Sequence, residues 1–406
     1  MKEEFTKERS DSIMEMKGLI IGIGAAGNKS VINLIENEVV SKDDIMLINS
    51  TLMDIPDKYK DMAYILEGTD GGFGKERTAS KDAMLKKLKS GTLPIKEKAE
   101  YGYKFVAVVT STEGGTGSGA SAILAQYIQS VIKLPVHIIG FAGFGSDGRG
   151  LQNTMEFLQD TKSEMTVHII RNDRFLGENG MSKIKAEQAA NDELAMIIKV
   201  IEGQLIKEST QNIDPRDIYK TVNTPGYQIV EYMELDEKIK NRKDFESDLI
   251  YMCDSSHSMQ TKPSMKRLAV ILNLNKNSQL YADDFTVLKQ RYGTCYEEYT
   301  HRQNEPGKEF IAFICSGMKM PIDEAKELYE KYQEASAAVD KTEDDFFSEI
   351  KSFKGNSNDA MFNMANTEVN SGSEDDFFSQ FESGGSSGTD SDMQKPSQQT
   401  TPVEEY

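Results

Sequence analysis

Short apolar runs alternate with amphipathic stretches along residues 18–180. The runs Gly18–Gly22, Asp44–Asn49, Ala63–Leu66, Phe105–Thr110, Val136–Phe141 and Thr166–Ile170 read as strands. Between them, Ala25–Glu36, Lys75–Lys89, Gly119–Ile132 and Leu151–Lys162 carry helical spacing. In the third of these, Ile123, Leu124, Tyr127, Ile128 and Val131 recur on one face. Strand, helix, strand repeated in this way predicts an α/β fold, a doubly wound parallel sheet with helices on both sides.

Residues 186–207 form one long helical pattern, with Leu194, Ile197, Ile198, Ile201 and Leu205 among its apolar positions. Such a helix can bridge two domains. A second α/β region follows, with strands expected at Leu268–Leu274 and Phe310–Cys315. The chain therefore divides into an N-terminal extension (1–14), a first α/β domain (15–182), a central helix (183–210), a smaller C-terminal α/β domain (211–332) and a tail (333–406). The tail is rich in Ser, Gly, Asp and Glu. Residues 341–406 hold fourteen acids against four bases, a composition that predicts disorder. Within it the hexapeptide EDDFFS occurs twice, at Glu343–Ser348 and Glu374–Ser379. Chance duplication in a low-complexity segment is one reading. Two copies of a docking motif for an adaptor protein, with paired phenylalanines as anchors, is the other.

Charge narrows the functional classes. The formal net charge is -19, which disfavours direct contact with nucleic acid and with anionic lipid. No apolar run approaches the roughly 20 residues of a membrane span, so no membrane insertion is expected. The first fourteen residues are polar and charged, unlike a signal or transit peptide. Cys253, Cys295 and Cys315 are widely spaced and suit a reduced cytoplasm. His137 and His168 sit inside apolar runs, where packed core histidines are expected rather than ligands.

Two glycine clusters carry the candidate chemistry. The first, Gly22 to Asn28 (GIGAAGN), lies between a strand and a helix. Gly22 and Gly24 allow close backbone approach to a phosphate, and the helix that follows aims free N–H groups at the anion. This is also the dinucleotide fingerprint, but an NAD-dependent oxidoreductase would want an acid at the end of the second strand, and here that strand ends Asn49-Ser50-Thr51. The second cluster, Glu113 to Gly119 (EGGTGSG), links FVAVVT to a helix and can form an anion-holding nest, with Thr116 and Ser118 offering hydroxyls. It lacks the Gly-Lys-Ser/Thr of a Walker loop, so amides, a helix terminus and Mg²⁺ would have to meet the phosphate charge.

Gly114–Gly119 (GGTGSG), preceded by Gly22–Asn28, resembles the signature pair of the tubulin/FtsZ superfamily of GTPases. The resemblance extends in order through most of residues 18–320. It implies a GTP-binding domain at 15–182 and assigns nucleotide contacts to Gly22, Gly24, Ala25, Ala26, Gly27 and Asn28, to Asn49, and to Gly114, Gly115, Thr116, Gly117, Ser118 and Gly119. The run Gly68-Thr69-Asp70-Gly71-Gly72-Phe73-Gly74 is similar to the family's γ-phosphate loop, which brings in Gly71, Gly72 and Gly74. Asn172 and Asn191 match the guanine-reading positions, and Asp147 the ribose acid. Asn212, Asp214 and Asp217 are similar to the N-x-D-x-x-D loop that one subunit presents to the nucleotide of its neighbour, so they take the catalytic role. Asp214-Pro215 is at the same time a good helix start.

Three features depart from the family pattern, one being a first loop that reads Gly24-Ala25-Ala26-Gly27 rather than all glycine. Glu113 stands where a small residue is usual, and an acid beside a phosphate is unfavourable unless it turns away or orders Mg²⁺ through water. Glu187 replaces an aromatic. The terminal strand EFIAFICSGMKMP is similar to that of the plasmid and phage TubZ group. The resemblance therefore implies a cytoplasmic GTPase that binds GTP, GDP and Mg²⁺. It would polymerise with itself, position plasmid or phage DNA through an adaptor, and make no direct nucleic-acid contact. An FtsZ-like division scaffold is the alternative, and the NAD-dependent oxidoreductase the remote one.

Overall fold

The computed structural model describes residues 16–67, 71–145, 147–161, 164–176, 180–209 and 213–340, together with Phe378. The N-terminal extension, Gly68–Asp70, Asn212 and, apart from Phe378, the tail beyond 340 with both hexapeptides lie outside these residues.

In chain order the elements are β1 (Gly18–Ile23), α1 (Gly24–Glu36), β2 (Ile45–Asn49), β3 (Ala63–Ile65), α2 (Arg77–Lys89), α3 (Ile95–Ala99), β4 (Phe105–Ser111), α4 (Gly115–Tyr127), β5 (Val136–Ala142), α5 (Gly148–Asp160), β6 (Thr166–Arg171) and α6 (Lys183–Ile201). The second half adds α7 (Pro215–Val222), β7 (Gly226–Glu234), α8 (Arg242–Asp254), β8 (Arg267–Asn273), α9 (Lys276–Gln279), α10 (Thr286–Tyr292), β9 (Glu297–Gln303), β10 (Phe310–Met318) and α11 (Ile322–Asp340). All ten strands join one sheet, in the order β3-β2-β1-β4-β5-β6-β7-β10-β8-β9. The strands from β3 to β7 run parallel, and β10 is antiparallel to both its neighbours. The two halves meet through only two registered pairs, Thr166 with Gly226 and Val167 with Tyr227.

The strands read as continuous apolar runs because both faces of the sheet are covered. Along β1, Leu19, Ile21 and Ile23 enter one core and Ile20 the other. In β4, Val106 and Val108 oppose Phe105, Ala107 and Val109 in the same way. One core takes Met84 and Leu88 of α2, Leu124 of α4 and Phe157 of α5. The other takes Val31 and Leu34 of α1 and Leu194, Ile197, Ile198 and Ile201 of α6.

Three helices differ from their sequence patterns, α5 by starting three residues early, at Gly148 after the Asp147 cap. α6 starts earlier, where the Ser182 side chain accepts from the Lys185 amide. It ends at Ile201, because Gly203 adopts a φ of 72°, so Leu205 lies past the helix. α4 starts four residues earlier than the apolar pattern, at Gly115. It then widens into a π-turn at Ile128–Ile132 that Lys133 closes in the left-handed conformation. The strands β7 and β9 and helices α8 and α10 carry weaker patterns and add to the expected second region. Among the described residues no helix is long and apolar enough to cross a membrane.

The buried histidines have protein partners. His137 Nε2 lies 2.9 Å from Asn223 Oδ1, and His168 Nδ1 donates to the Gln228 carbonyl at 3.0 Å. Burial pushes both pKa values down to about 4. Glu231 behaves oppositely. Burial first, and then the nearby Glu193, raise it to about 8, while Ser256 and Ser258 donate to its carboxylate. A carboxyl raised above its unfolded value contributes stability at low pH that is lost as pH rises from about 4.5 towards 8. Glu231→Gln keeps the acceptor and removes that loss. Its stability relative to the wild type should therefore climb between pH 5 and pH 8, by at most about 1.4 kcal/mol per pH unit. Urea unfolding of both proteins at the two pH values checks this, and a pH-independent difference would contradict it.

Candidate nucleotide-binding edge

β1, β2, β4, β5 and β6 all point their C-terminal ends to one edge of the sheet. The loops that leave them carry most of the residues expected at a nucleotide. The chain reverses direction of winding between β1 and β4, the place where open α/β sheets bind ligands. There α1 and α4 open side by side. A Cβ on Gly24, whose φ is 76°, would lie 3.2 Å from the Gly117 amide nitrogen. α5, α6, α7 and α8 are capped by Asp147, Ser182, Asp214 and Asn241. α1, α2 and α4 have no side-chain cap. Their first amides are thus not satisfied by a cap, and those of α1 and α4 converge on one point, as an anion requires.

The glycines divide by task. Gly22, Gly27, Gly115, Gly117 and Gly119 are packing residues. An added Cβ would meet Asn28 Oδ1 at 2.7 Å, the Val109 carbonyl at 2.2 Å, Lys75 Cα at 2.8 Å, Thr110 Oγ1 at 2.4 Å and Ser80 Oγ at 2.0 Å respectively. Gly114 is different: its φ is -76° and nothing lies within 4 Å of an added Cβ. Gly71, Gly72 and Gly74 also face open space, and φ values of 119° at Gly71 and 51° at Gly74 suit glycine. Ala25 and Ala26 are exposed on the first turn of α1.

The hydroxyls divide too. Thr116 remains on the open side, 3.4 Å from Ser50 Oγ. Ser118 is fully buried and donates to the Gly114 carbonyl, while Arg77 Nε donates to it at 3.2 Å, so its hydroxyl faces the fold rather than the edge. Arg77 was not expected from the sequence. It is 5% exposed, ion-paired with Glu156 and Asp160, and fixes the first turn of α4. A basic residue on the polar side of an apolar-poor helix gives no sequence signal of that role. Asn153 of α5 holds two loops, donating to the Lys75 and Glu113 carbonyls at 3.1 and 2.9 Å.

Glu113 turns toward the loop after β5, where its carboxylate accepts from the Gly143 amide at 2.9 Å. Burial pushes its pKa up, with the amide and Lys75 opposing. Asp147 caps α5 and pairs with Lys75. Glu187 pairs with Lys29 at 2.8 Å. Asn191 is buried on α6 and accepts from Ser30 Oγ at 2.7 Å, while Asn49, at the end of β2, donates to Asp54 at 3.4 Å. The side-chain carbonyl of Asn172 is buried without a donor, whereas Asn28 is fully buried, donates to the Ile48 carbonyl at 3.0 Å and turns its oxygen toward Gly22. Orphaned acceptors of this kind are costly and suit a ligand that brings N–H groups, as a guanine edge does. Among the described residues no three His, Cys, Asp or Glu side chains are grouped to hold a metal. A Mg²⁺ here would draw most of its ligands from phosphate oxygens and water.

Asp214 and Asp217 lie elsewhere. α6 ends against the start of β1, where Glu202 accepts from the Gly18 amide. α7 ends at Asn223 and Thr224, beside the starts of β5 and β6. The far end of α7 thus lies at the N-terminal edge of the sheet, while Asp214 caps its start and Asp217 stands in its first turn. Asp214 is exposed and accepts from the Arg216 amide at 2.7 Å, and Lys220 donates to half-buried Asp217 at 3.3 Å.

Comparison with known proteins gives the same architecture. The chain superposes on TubZ of Clostridium botulinum phage c-st with a TM-score of 0.61 at 16% identity, covering 79% of this chain and 100% of that one. It superposes on CetZ1 of Haloferax volcanii, solved as a GDP-bound monomer, with a TM-score of 0.61 at 20% identity and coverage of 79% and 100%. The chain has the tubulin/FtsZ fold. Among sequence relatives, cell division protein FtsZ 1 of Pyrococcus horikoshii is 26% identical over 231 residues, 54% of this chain and 59% of that protein. FtsZ of Porphyromonas gingivalis is 20% identical over 214 residues, 52% of this chain and 46% of that one. The chain thus spans about half the length of the curated relatives it matches. No protein-family model matches it.

Within this tubulin/FtsZ fold, packing and access can be separated by mutation. Gly27→Ala should lower the melting temperature by several degrees, since its methyl group meets a backbone carbonyl. Gly114→Ala should leave it within about one degree. Equal losses in a thermal scan would mean that Gly114 too is held by the fold.

Proposed function

We propose that this chain is a GTPase that assembles head to tail and hydrolyses GTP where two subunits meet. The observation that carries the reading is the separation just described. One edge offers uncapped helix starts, an open Gly114 and the unpartnered Asn172 carbonyl. Exposed Asp214 and half-buried Asp217 of the N-x-D-x-x-D pattern stand apart from it on α7. Neither is a complete site, and stacking one subunit on the next unites them. The relatives support this: CetZ2 of Haloferax volcanii was solved as a GTPγS-bound protofilament, and TubZ-Bt as a four-stranded filament.

In this reading the first turns of α1 and α4 hold the phosphates. The loop of Gly71, Gly72 and Gly74 closes over the γ-phosphate. Asn172 and Asn191 take the guanine side, and Asp147 the ribose. Mg²⁺ would neutralise phosphate charge. Asp214 and Asp217 of the neighbour, with Asn212, would orient the attacking water, so catalysis is positioning and electrostatics. Segregation or positioning of plasmid or phage DNA, through an adaptor on the acidic tail, is the finer role we infer. A division scaffold is the second reading, favoured by the FtsZ relatives.

The test is right-angle light scattering of the full chain with Mg²⁺ and GTP, GDP or NAD. Scattering should rise with GTP alone and decay as GTP is consumed, with turnover increasing more steeply than protein concentration. Strictly linear turnover would count against a shared site. Asp214→Ala should bind GTP as the wild type does, slow turnover at least a hundredfold and give filaments that persist. Gly114→Ala should weaken GTP binding at least tenfold without loss of fold. Loss of GTP affinity in Asp214→Ala would place that acid in the wrong site.

A further inference from the structure

Phe378 is the only described residue after Asp340, and it is seated on the body of the protein. Its ring is half-buried and packs against the core beneath α2 and α4. The ring centroid lies 6.3 Å from that of Tyr127, the last residue of α4, and Lys89 Nζ sits 5.4 Å over the ring. The surface it meets is the end of α2 beside the junction of α4 with its π-turn, and π-turns inside helices often mark functional places.

Charge agrees with the seat. On a chain of net charge -19, the last turn of α2 carries Lys86, Lys87 and Lys89. Lys86 and Lys87 form no ion pair among the described residues. Phe378 belongs to the second EDDFFS hexapeptide, in which Glu374, Asp375 and Asp376 directly precede Phe377 and Phe378. An aromatic anchor beneath a lysine ammonium, in a hexapeptide whose sequence holds three acids, is matched in charge to a lysine cluster. The 37 residues from 341 to 377 can reach about 120 Å when extended, so the anchor can close onto its own chain.

We propose that the shelf formed by the α2 C-terminus and Tyr127 is a receptor for the acidic di-phenylalanine motif, occupied in cis by the second copy. Each chain then has one shelf and two copies. The first copy, Glu343–Ser348, is left over and is the one free to engage another molecule. The repeat is thereby explained: one copy clamps the tail to its own subunit, and the other is presented.

Amide hydrogen exchange on the full chain tests this. The double variant Phe377→Ala/Phe378→Ala should raise exchange at 85–89 and 127–132 at least fivefold, and Phe346→Ala/Phe347→Ala should leave both segments unchanged. Exchange unaltered by the first variant, or raised equally by the second, would overturn the assignment. Tyr127 is 4% exposed and its removal could unfold α4, so the shelf is probed instead at exposed Lys89. A fluorescent peptide of residues 370–383 should bind the Phe377→Ala/Phe378→Ala chain and be excluded from the wild type. Adding Lys89→Glu to that variant should weaken binding at least tenfold. Peptide binding equally well to all three would refute a cis-occupied shelf, and binding to none would refute the shelf itself.

Discussion

Close backbone contact between α1, β4 and α4 is the constraint on which the rest of the structure depends. The Gly27 Cα rests against the Val109 carbonyl, Gly24 against the Gly117 amide, and Gly117 against Thr110. A Cβ would clash at Gly27 and Gly117, and at Gly24 it would be crowded on a backbone whose φ of 76° disfavours side chains. The approach brings two helix N-termini to one point above β1 and β4 and keeps them uncapped. Positive potential there comes from the backbone and costs the protein no lysine or arginine, which fits a chain of strong negative charge. Arg77, with its two carboxylates and the Ser118 hydroxyl, then locks α4 from behind.

The first half of this fold was legible because its strands are buried on both faces. The six apolar runs fall within a residue or two of β1 to β6, and the alternation of strand and helix gave the parallel order. β9 was not legible: its EEYTHRQ sequence is half-exposed and carries little apolar signal. The single sheet was not legible either, since only two residue pairs join β6 to β7, and pairing so slight leaves no mark on composition. α6 overran in the sequence pattern because apolar spacing continues through Leu205, whereas the stop is set by one backbone angle at Gly203.

At the candidate site the glycines were visible but their division of labour was not. Whether a glycine is needed for a ligand or for its neighbours depends on what lies within 4 Å of an absent Cβ, which only tertiary structure reveals. Ser118 shows the same limit, since its hydroxyl is claimed by the fold. Glu113 and Glu187 stood out as misfits by residue type. Their resolution, an amide from Gly143 and an ammonium from Lys29, comes from partners far away in sequence. Asp214 could be read from sequence both as a cap and as an acid of the N-x-D-x-x-D pattern. The cap is present, and its geometry leaves the carboxylate at the surface.

α6 touches both edges of the sheet. At its start Lys183 sits 5.1 Å over the Phe144 ring in the loop after β5, midway Asn191 bonds α1 through Ser30, and just past its end Glu202 holds the first amide of β1. Nineteen residues of unbroken helix make a strut of about 28 Å, stiff along its axis because every turn is hydrogen-bonded. Such a member transmits displacement rather than absorbing it. A small axial shift at the loop after β5 would be carried along α6 to the start of β1, so the two edges of the first sheet half are linked mechanically.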